Sequence, residues 1–285
     1  MNTKIKFAER VIKIGLFIFI VCAFALNAQE SHLKIDIVGQ GKPIILLPGF
    51  GCPGQMWNTT VDSLKENYEC HMVSYPGFNG LPAIETPWLQ TIETELIQYI
   101  SKLKDHPIAI GHSIGGMLLL KIGSLPQQLF SQIVIVDALP CFSAITMRGV
   151  DISTITYNSP QNQQMLQMPD EQFVAMTNNM ATYMTSNTEK QPMLKEWFSK
   201  VDRKTWVYGY TDLLKTDLRT DIANIKVPVS IITAKNPNMP GVEENINQQY
   251  KNISNKTLYF AENSLHFIMF DQPEWFNNTL KKIIK

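Results

Sequence analysis

Apolar residues follow two alternating rhythms along this chain. Predominantly apolar runs of strand length occupy residues 43–47, 70–75, 107–110 and 132–136, and the run at 43–47 is unbroken. Between them lie stretches whose apolar residues recur at helical spacing: Trp57, Val61 and Leu64; then Ile92, Leu96, Ile97 and Ile100; then residues 114–122. An unbroken run suits a strand covered on both faces, and helical spacing suits a helix with one buried side. A further strand is expected over 34–38, and Pro76-Gly77 stops the run at 70–75. Strands alternating with helices imply a parallel sheet covered by helices on both faces.

The alternation pauses after Asp137. Residues 139–225 show helical patterns and no convincing strand. Asp170 opens one helix, with Phe173, Met176, Met180 and Met184 along one face, and Asp202 is placed to cap another carrying Trp206, Tyr210 and Leu213. Strand and helix signals then resume at 227–233, 243–250, 257–260 and 273–284. The pattern predicts a core over 29–138 and 226–285, interrupted by an all-helical insertion over 139–225. Seven of the 13 methionines fall in that insertion. Methionine fills irregular apolar space, so they suit either a packing face between helices or the wall of an apolar substrate pocket.

The N-terminus departs from this rhythm. Lys4, Lys6, Arg10 and Lys13 precede an uncharged apolar run over 14–26, long enough for a signal-peptide core and short for a membrane span. Ala28 suits the position before a cut, so residues 1–28 are expected to be a cleaved signal peptide and the protein to be exported, periplasmic or secreted. An uncleaved anchor is the alternative, and the membrane is involved only through this segment. Phe19-Ile20-Val21 lacks the small residues a lipoprotein signal at Cys22 would want. Cleavage leaves Cys52, Cys70 and Cys141, an odd set without regular spacing, which reads as buried thiols more readily than as a disulfide framework or a metal site. Lys plus Arg and Asp plus Glu both total 25, so no charge excess points to nucleic acid or to a cationic partner.

Three short segments carry the candidate chemistry. Gly111-His112-Ser113-Ile114-Gly115 fits G-x-S-x-G between a strand and a helix. A sharp turn there lifts the Ser113 hydroxyl above the sheet, and the start of the following helix offers the Ile114 N–H to developing negative charge. Leu47-Pro48-Gly49-Phe50-Gly51, after an earlier strand, offers a second backbone donor, the N–H of Phe50. His266 follows the last strand, at the edge of the sheet where parallel strands all end, and is the candidate base. His32, His71, His106 and His112 have no comparable position, and His112 reads as the variable residue of the turn.

With Trp57, Ile225-Lys226-Val227-Pro228-Val229 and His266-Phe267-Ile268, these segments resemble the α/β-hydrolase superfamily over almost the whole chain beyond residue 33. The resemblance implies an α/β fold: a mostly parallel, doubly wound sheet with an all-helical cap inserted after the sixth strand. It implies an esterase- or lipase-like serine hydrolase with Ser113 as nucleophile, His266 as base and the Phe50 and Ile114 amides as oxyanion hole. No cofactor or metal is called for, and the substrate is expected to be a small molecule with an apolar acyl group. Members usually carry His-Gly where this chain has Pro48-Gly49; the donor is backbone, so the change leaves it in place. They usually carry an acid after the strand that ends at Thr233, where this chain reads Thr233-Ala234-Lys235-Asn236-Pro237-Asn238. Asp137, which closes the strand 132–136, is the preferred acid; Asn236 is the alternative, and Glu243 and Glu244 are more distant. The reaction expected is cleavage of an ester, lactone or thioester. Carbon–carbon or amide cleavage by the same residues, or a ligand-binding relative with weak turnover, are the alternatives.

Overall fold

The computed structural model describes residues 31–284. The expected signal segment and Cys22 lie outside the described residues. No described helix is long and apolar enough to cross a membrane.

The chain builds a seven-stranded sheet in the order β1-β3-β2-β4-β5-β6-β7. The strands are β1 Lys34–Gly39, β2 Lys42–Leu47, β3 Tyr68–Ser74, β4 Ile108–His112, β5 Gln132–Val136, β6 Val229–Lys235 and β7 Lys256–Glu262. β1 runs antiparallel to β3, and every other pairing is parallel. The apolar runs explain the central order. Ile44, Ile45, Leu46 and Leu47 are all fully buried, because successive side chains enter opposite layers. Ile45 and Leu47 join one core with Ala109, Ile133 and Ile135. Ile44 and Leu46 join the other with Ile110, Val134 and Val136.

Helices α1 Asn58–Leu64, α2 Trp88–Ile100 and α3 Ile114–Gly123 connect the first strands. α3 is apolar but for Lys121, and Ile114, Met117, Leu118, Leu119, Leu120 and Ile122 are buried. The segment between β5 and β6 carries α4 Ser143–Thr146, α5 Pro160–Gln167, α6 Asp170–Met184, α7 Gln191–Ser199 and α8 Arg203–Lys215. After β6 come α9 Val242–Gln249, α10 Ile268–Asp271 and α11 Pro273–Ile283. The helical segment therefore follows the fifth strand of this chain, not the sixth. Five strands, β1 to β5, precede it.

Within the segment, Ser159 caps α5 by accepting from Asn162 N, and Asp202 caps α8 by accepting from Thr205 N. On α6 the buried positions are Phe173, Thr177 and Ala181, one helical stripe. Met176, Met180 and Met184 flank it, half-buried against the core that holds Phe198, Trp206 and Phe267. The expected methionine face is thus centred one residue aside, with a smaller Thr and Ala at its closest approach. Cys52, Cys70 and Cys141 are buried free thiols.

Candidate active site

Strand register brings the candidate residues to one edge. Leu47 pairs with Gly111, His112 with Val136, and Val136 with Ile232. The next residue along each strand, Pro48, Ser113, Asp137 and Thr233, therefore stands at the carboxyl end of the sheet. β6 and β7 stay paired to Lys235 and Glu262, and the chain then turns through Asn263 to His266.

Ser113 has φ 54° and ψ −121°, a conformation that costs a side-chain-bearing residue roughly 1–3 kcal/mol. The sheet holds it there. Ser113 N–H donates to Val136 O at 2.9 Å, and Ser113 O accepts from Met117 N at 3.0 Å. Gly111 makes the tight turn possible, since a Cβ on it would lie 2.5 Å from the Gly115 carbonyl carbon. Ile114 is the first residue of α3, so its N–H has no acceptor in its own helix.

Phe50 sits at the second position of a turn closed by Cys52 N–H donating to Gly49 O at 3.1 Å. Gly51, third in that turn, has φ 76°, which favours glycine. The amide of the second residue takes no part in the turn's own bond. The turn backs onto the elbow: a Cβ on Gly49 would lie 3.5 Å from Ser113 Cβ. The Phe50 ring is held from above by Trp206 of α8, at 5.1 Å between ring centres, and by Phe78 at 4.9 Å.

His266 Nδ1 lies 2.6 Å from Asp137 Oδ2. A carboxylate only accepts, so Nδ1 carries the proton and Nε2 is left bare to receive one. Asp137 is itself fixed. Its Oδ1 accepts from Ala234 N at 2.8 Å and from Thr233 Oγ1 at 3.1 Å. The end of β6 thus orients the carboxylate that follows β5. Beyond Asp137, Tyr250 donates to Ala138 O at 2.7 Å, and Gln249 bonds both the N–H and the carbonyl of Cys141. Asn236 is elsewhere engaged, its Oδ1 accepting from Asn238 N at 2.9 Å. Glu243 pairs with Lys235, and Glu244 lines a polar surface cleft.

Two residues at the site hold positions that the sequence pattern does not assign: His112, expected only as the variable residue of the turn, and Asp271. His112 is fully buried, and its Nε2 lies 2.9 Å from His266 O. Burial, reinforced by the neighbouring His266, holds its imidazole well below the usual histidine range. Asp271 closes α10 and accepts from Leu265 N at 2.7 Å, from Thr185 Oγ1 at 2.5 Å and from Ser186 N at 2.9 Å. It ties the loop before His266 to the end of α6. Its place before Gln272-Pro273 suggests only a helix start, so the sequence gives no sign of this junction.

A family model described as "Alpha/beta hydrolase family" matches residues 44–279. A pimeloyl-[acyl-carrier protein] methyl ester esterase from Vibrio cholerae is 24% identical over 197 residues, covering 68% of this chain and 75% of that protein. One from Nitrosomonas europaea is 24% identical over 215 residues, covering 72% and 81%. Among solved structures, the enol-lactonase from Burkholderia xenovorans LB400 superposes with a TM-score of 0.73 at 14% identity, over 88% of this chain and 96% of that one. An esterase from Exiguobacterium antarcticum gives 0.73 at 20% identity, over 88% and 94%. The match over 44–279, on a sheet that carries a strained Ser113 and an Asp137–His266 pair at one edge, places this chain in the alpha/beta hydrolase family.

Proposed function

We propose that the protein is a serine hydrolase that cleaves a carboxylic ester, lactone or thioester through an acyl-enzyme on Ser113. The observation that carries this reading is the 2.6 Å contact between His266 Nδ1 and Asp137 Oδ2 at the edge where half-buried Ser113 sits in its strained turn. Ser113 Oγ attacks the carbonyl carbon while His266 Nε2 takes its proton. The carbonyl oxygen becomes an oxyanion facing the Phe50 and Ile114 amides. When the oxyanion collapses, the bond to the leaving oxygen or sulfur breaks and that atom takes the proton from His266. Water, deprotonated by His266, then attacks the acyl-enzyme and releases the acid.

Asp137 holds His266 in the tautomer this sequence of transfers needs and balances the imidazolium it passes through. A carboxylate in that position favours turnover over a binding role alone. The naming of the relatives as methyl ester esterases supports an ester among the acyl substrates. Half-buried Phe50, Leu139, Phe142 and Tyr210 stand about this edge, and they support an apolar acyl group. In this reading residues 139–225 act as a cap, tied to the core through Asp202 N–H donating to Gly77 O at 2.7 Å. Export through cleavage after Ala28 belongs to the same proposal, and the N-terminal mass of the protein recovered outside the cytoplasm tests it.

Hydrolysis of p-nitrophenyl esters of increasing acyl length, by wild type and by S113A, tests the activity. Wild type is expected to turn over with a preference for longer apolar acyl groups, and S113A to lose at least about 10³-fold in kcat. Equal rates for the two would overturn the reading.

A further inference from the structure

One residue touches three of the segments that the proposed reaction uses. His112 precedes the nucleophile in the chain. Its Nε2 lies 2.9 Å from the main-chain oxygen of His266, and its ring centre lies 4.5 Å from that of His266. Its other nitrogen faces the oxyanion turn, because a Cβ on Gly49 would lie 2.5 Å from His112 Nδ1. We propose that His112 is a positioning residue that fastens the His266 loop and the Gly49–Phe50 turn to the nucleophile elbow. This inference rests on the serine-hydrolase reading above.

The chemistry of the contact fixes the tautomer. A carbonyl oxygen only accepts, so His112 Nε2 must carry the proton and donate it to His266 O. In the neutral ring Nδ1 is then a bare acceptor. That atom is buried without a hydrogen-bond partner. The glycine hydrogen standing where a side chain would begin points at it, a weak C–H contact at most. A buried acceptor left in this state costs about 1–3 kcal/mol. A phenylalanine or leucine would fill the same space without that cost. The polar ring is therefore explained by the bond it makes, not by the volume it fills.

Charge supports the same role. A ring 4.5 Å from His266 that took up a proton would repel the imidazolium formed there at each turnover. His112 is fully buried and held neutral, so it donates its bond without adding a positive charge beside the base. The bond is made to the main chain of His266, which leaves both ring nitrogens of the base free for Asp137 and for the Ser113 proton.

The full-length chain and two variants test this. H112F fills the space without a donor; H112Q offers an amide N–H to the same carbonyl. We expect H112F to lose about 10- to 100-fold in kcat with KM within about twofold of wild type, because position is lost and not binding. Labelling of Ser113 by a fluorophosphonate should slow in parallel. H112Q should recover kcat to within about fivefold of wild type, since one neutral hydrogen bond is restored. Long-range proton–nitrogen NMR spectra of wild type should report His112 as the Nε2–H tautomer, a readout that needs no variant to fold. The proposal is overturned if H112F keeps full kcat, if H112Q is as slow as H112F while both are folded, or if the ring is the Nδ1–H tautomer. Wild type that neither hydrolyses esters nor takes the label, with the Nε2–H tautomer in place, would instead remove the serine-hydrolase reading, and this role with it.

Discussion

Asp137 Oδ2 and His266 Nδ1 stand 2.6 Å apart, though 129 positions separate the two residues in the chain. The contact joins the end of β5 to the loop after β7, across the intervening strand β6. β6 contributes the Ala234 amide and the Thr233 hydroxyl that hold the other carboxylate oxygen. The amide of an asparagine at 137 would present a donor to the same imidazole and favour the opposite tautomer. D137N should therefore fold and lose about 10⁴-fold in kcat. N236A should stay within about twofold of wild type, because that side chain only closes its own turn on Asn238 and a surface change of this kind is mild. Steady-state kinetics on one ester substrate checks both. Full activity in D137N would remove the acid from the proposed mechanism.

Asp271 anchors the loop that presents His266. It accepts from Leu265 on the loop side and from Thr185 and Ser186 at the end of α6. Phe267 N–H adds a bond to Met184 O at 3.1 Å. Alanine at 271 would leave several donors without their acceptor, at a cost of about 2–3 kcal/mol. Urea unfolding should show a lower midpoint at unchanged slope, and kcat should fall as the base loop loosens. A stability equal to wild type would mean these bonds are replaced by water at no cost.

His112 makes stability depend on pH in a definite direction. Its folded-state pKa is depressed by burial, so the folded protein does not bind this proton while the unfolded chain does. Stability from this residue is fully present above the ordinary histidine pKa of about 6.5 and is lost as pH falls below it, with a limiting slope of about 1.4 kcal/mol per pH unit. H112F lacks this component. The unfolding free energy of wild type minus that of H112F should fall as pH drops from neutral to mildly acidic. Parallel curves would contradict the buried neutral ring.

Much of this was legible in the order of residues. The elbow, the oxyanion turn and His266 each sit where a strand ends, and strand ends are visible as the close of an apolar run. Asp137 was legible as a strand end and as the preferred acid, while the way it is held depends on register: Val136 pairs with Ile232, which sets Asp137 against Thr233 and Ala234. The empty acid position near Asn236 made the same residue hard to choose from sequence alone. His112 was passed over because its environment is built by a loop 154 positions later in the chain. Asp271 was hidden for the same reason, its partners Thr185 and Ser186 lying 86 and 85 positions away in the helical segment. Strand limits shifted where a neighbour extends the pairing. β6 runs to Lys235 because β7 follows it to Glu262, and β3 starts at Tyr68 against Lys42.

The central claim is that Ser113 is a nucleophile activated by His266. Incubation of the full-length chain with a fluorophosphonate, followed by mass spectrometry of the intact protein and its peptides, tests it most directly. One adduct is expected, located on Ser113 and absent from S113A. A folded wild type that takes no adduct, or an S113A protein labelled as readily as wild type, would contradict it.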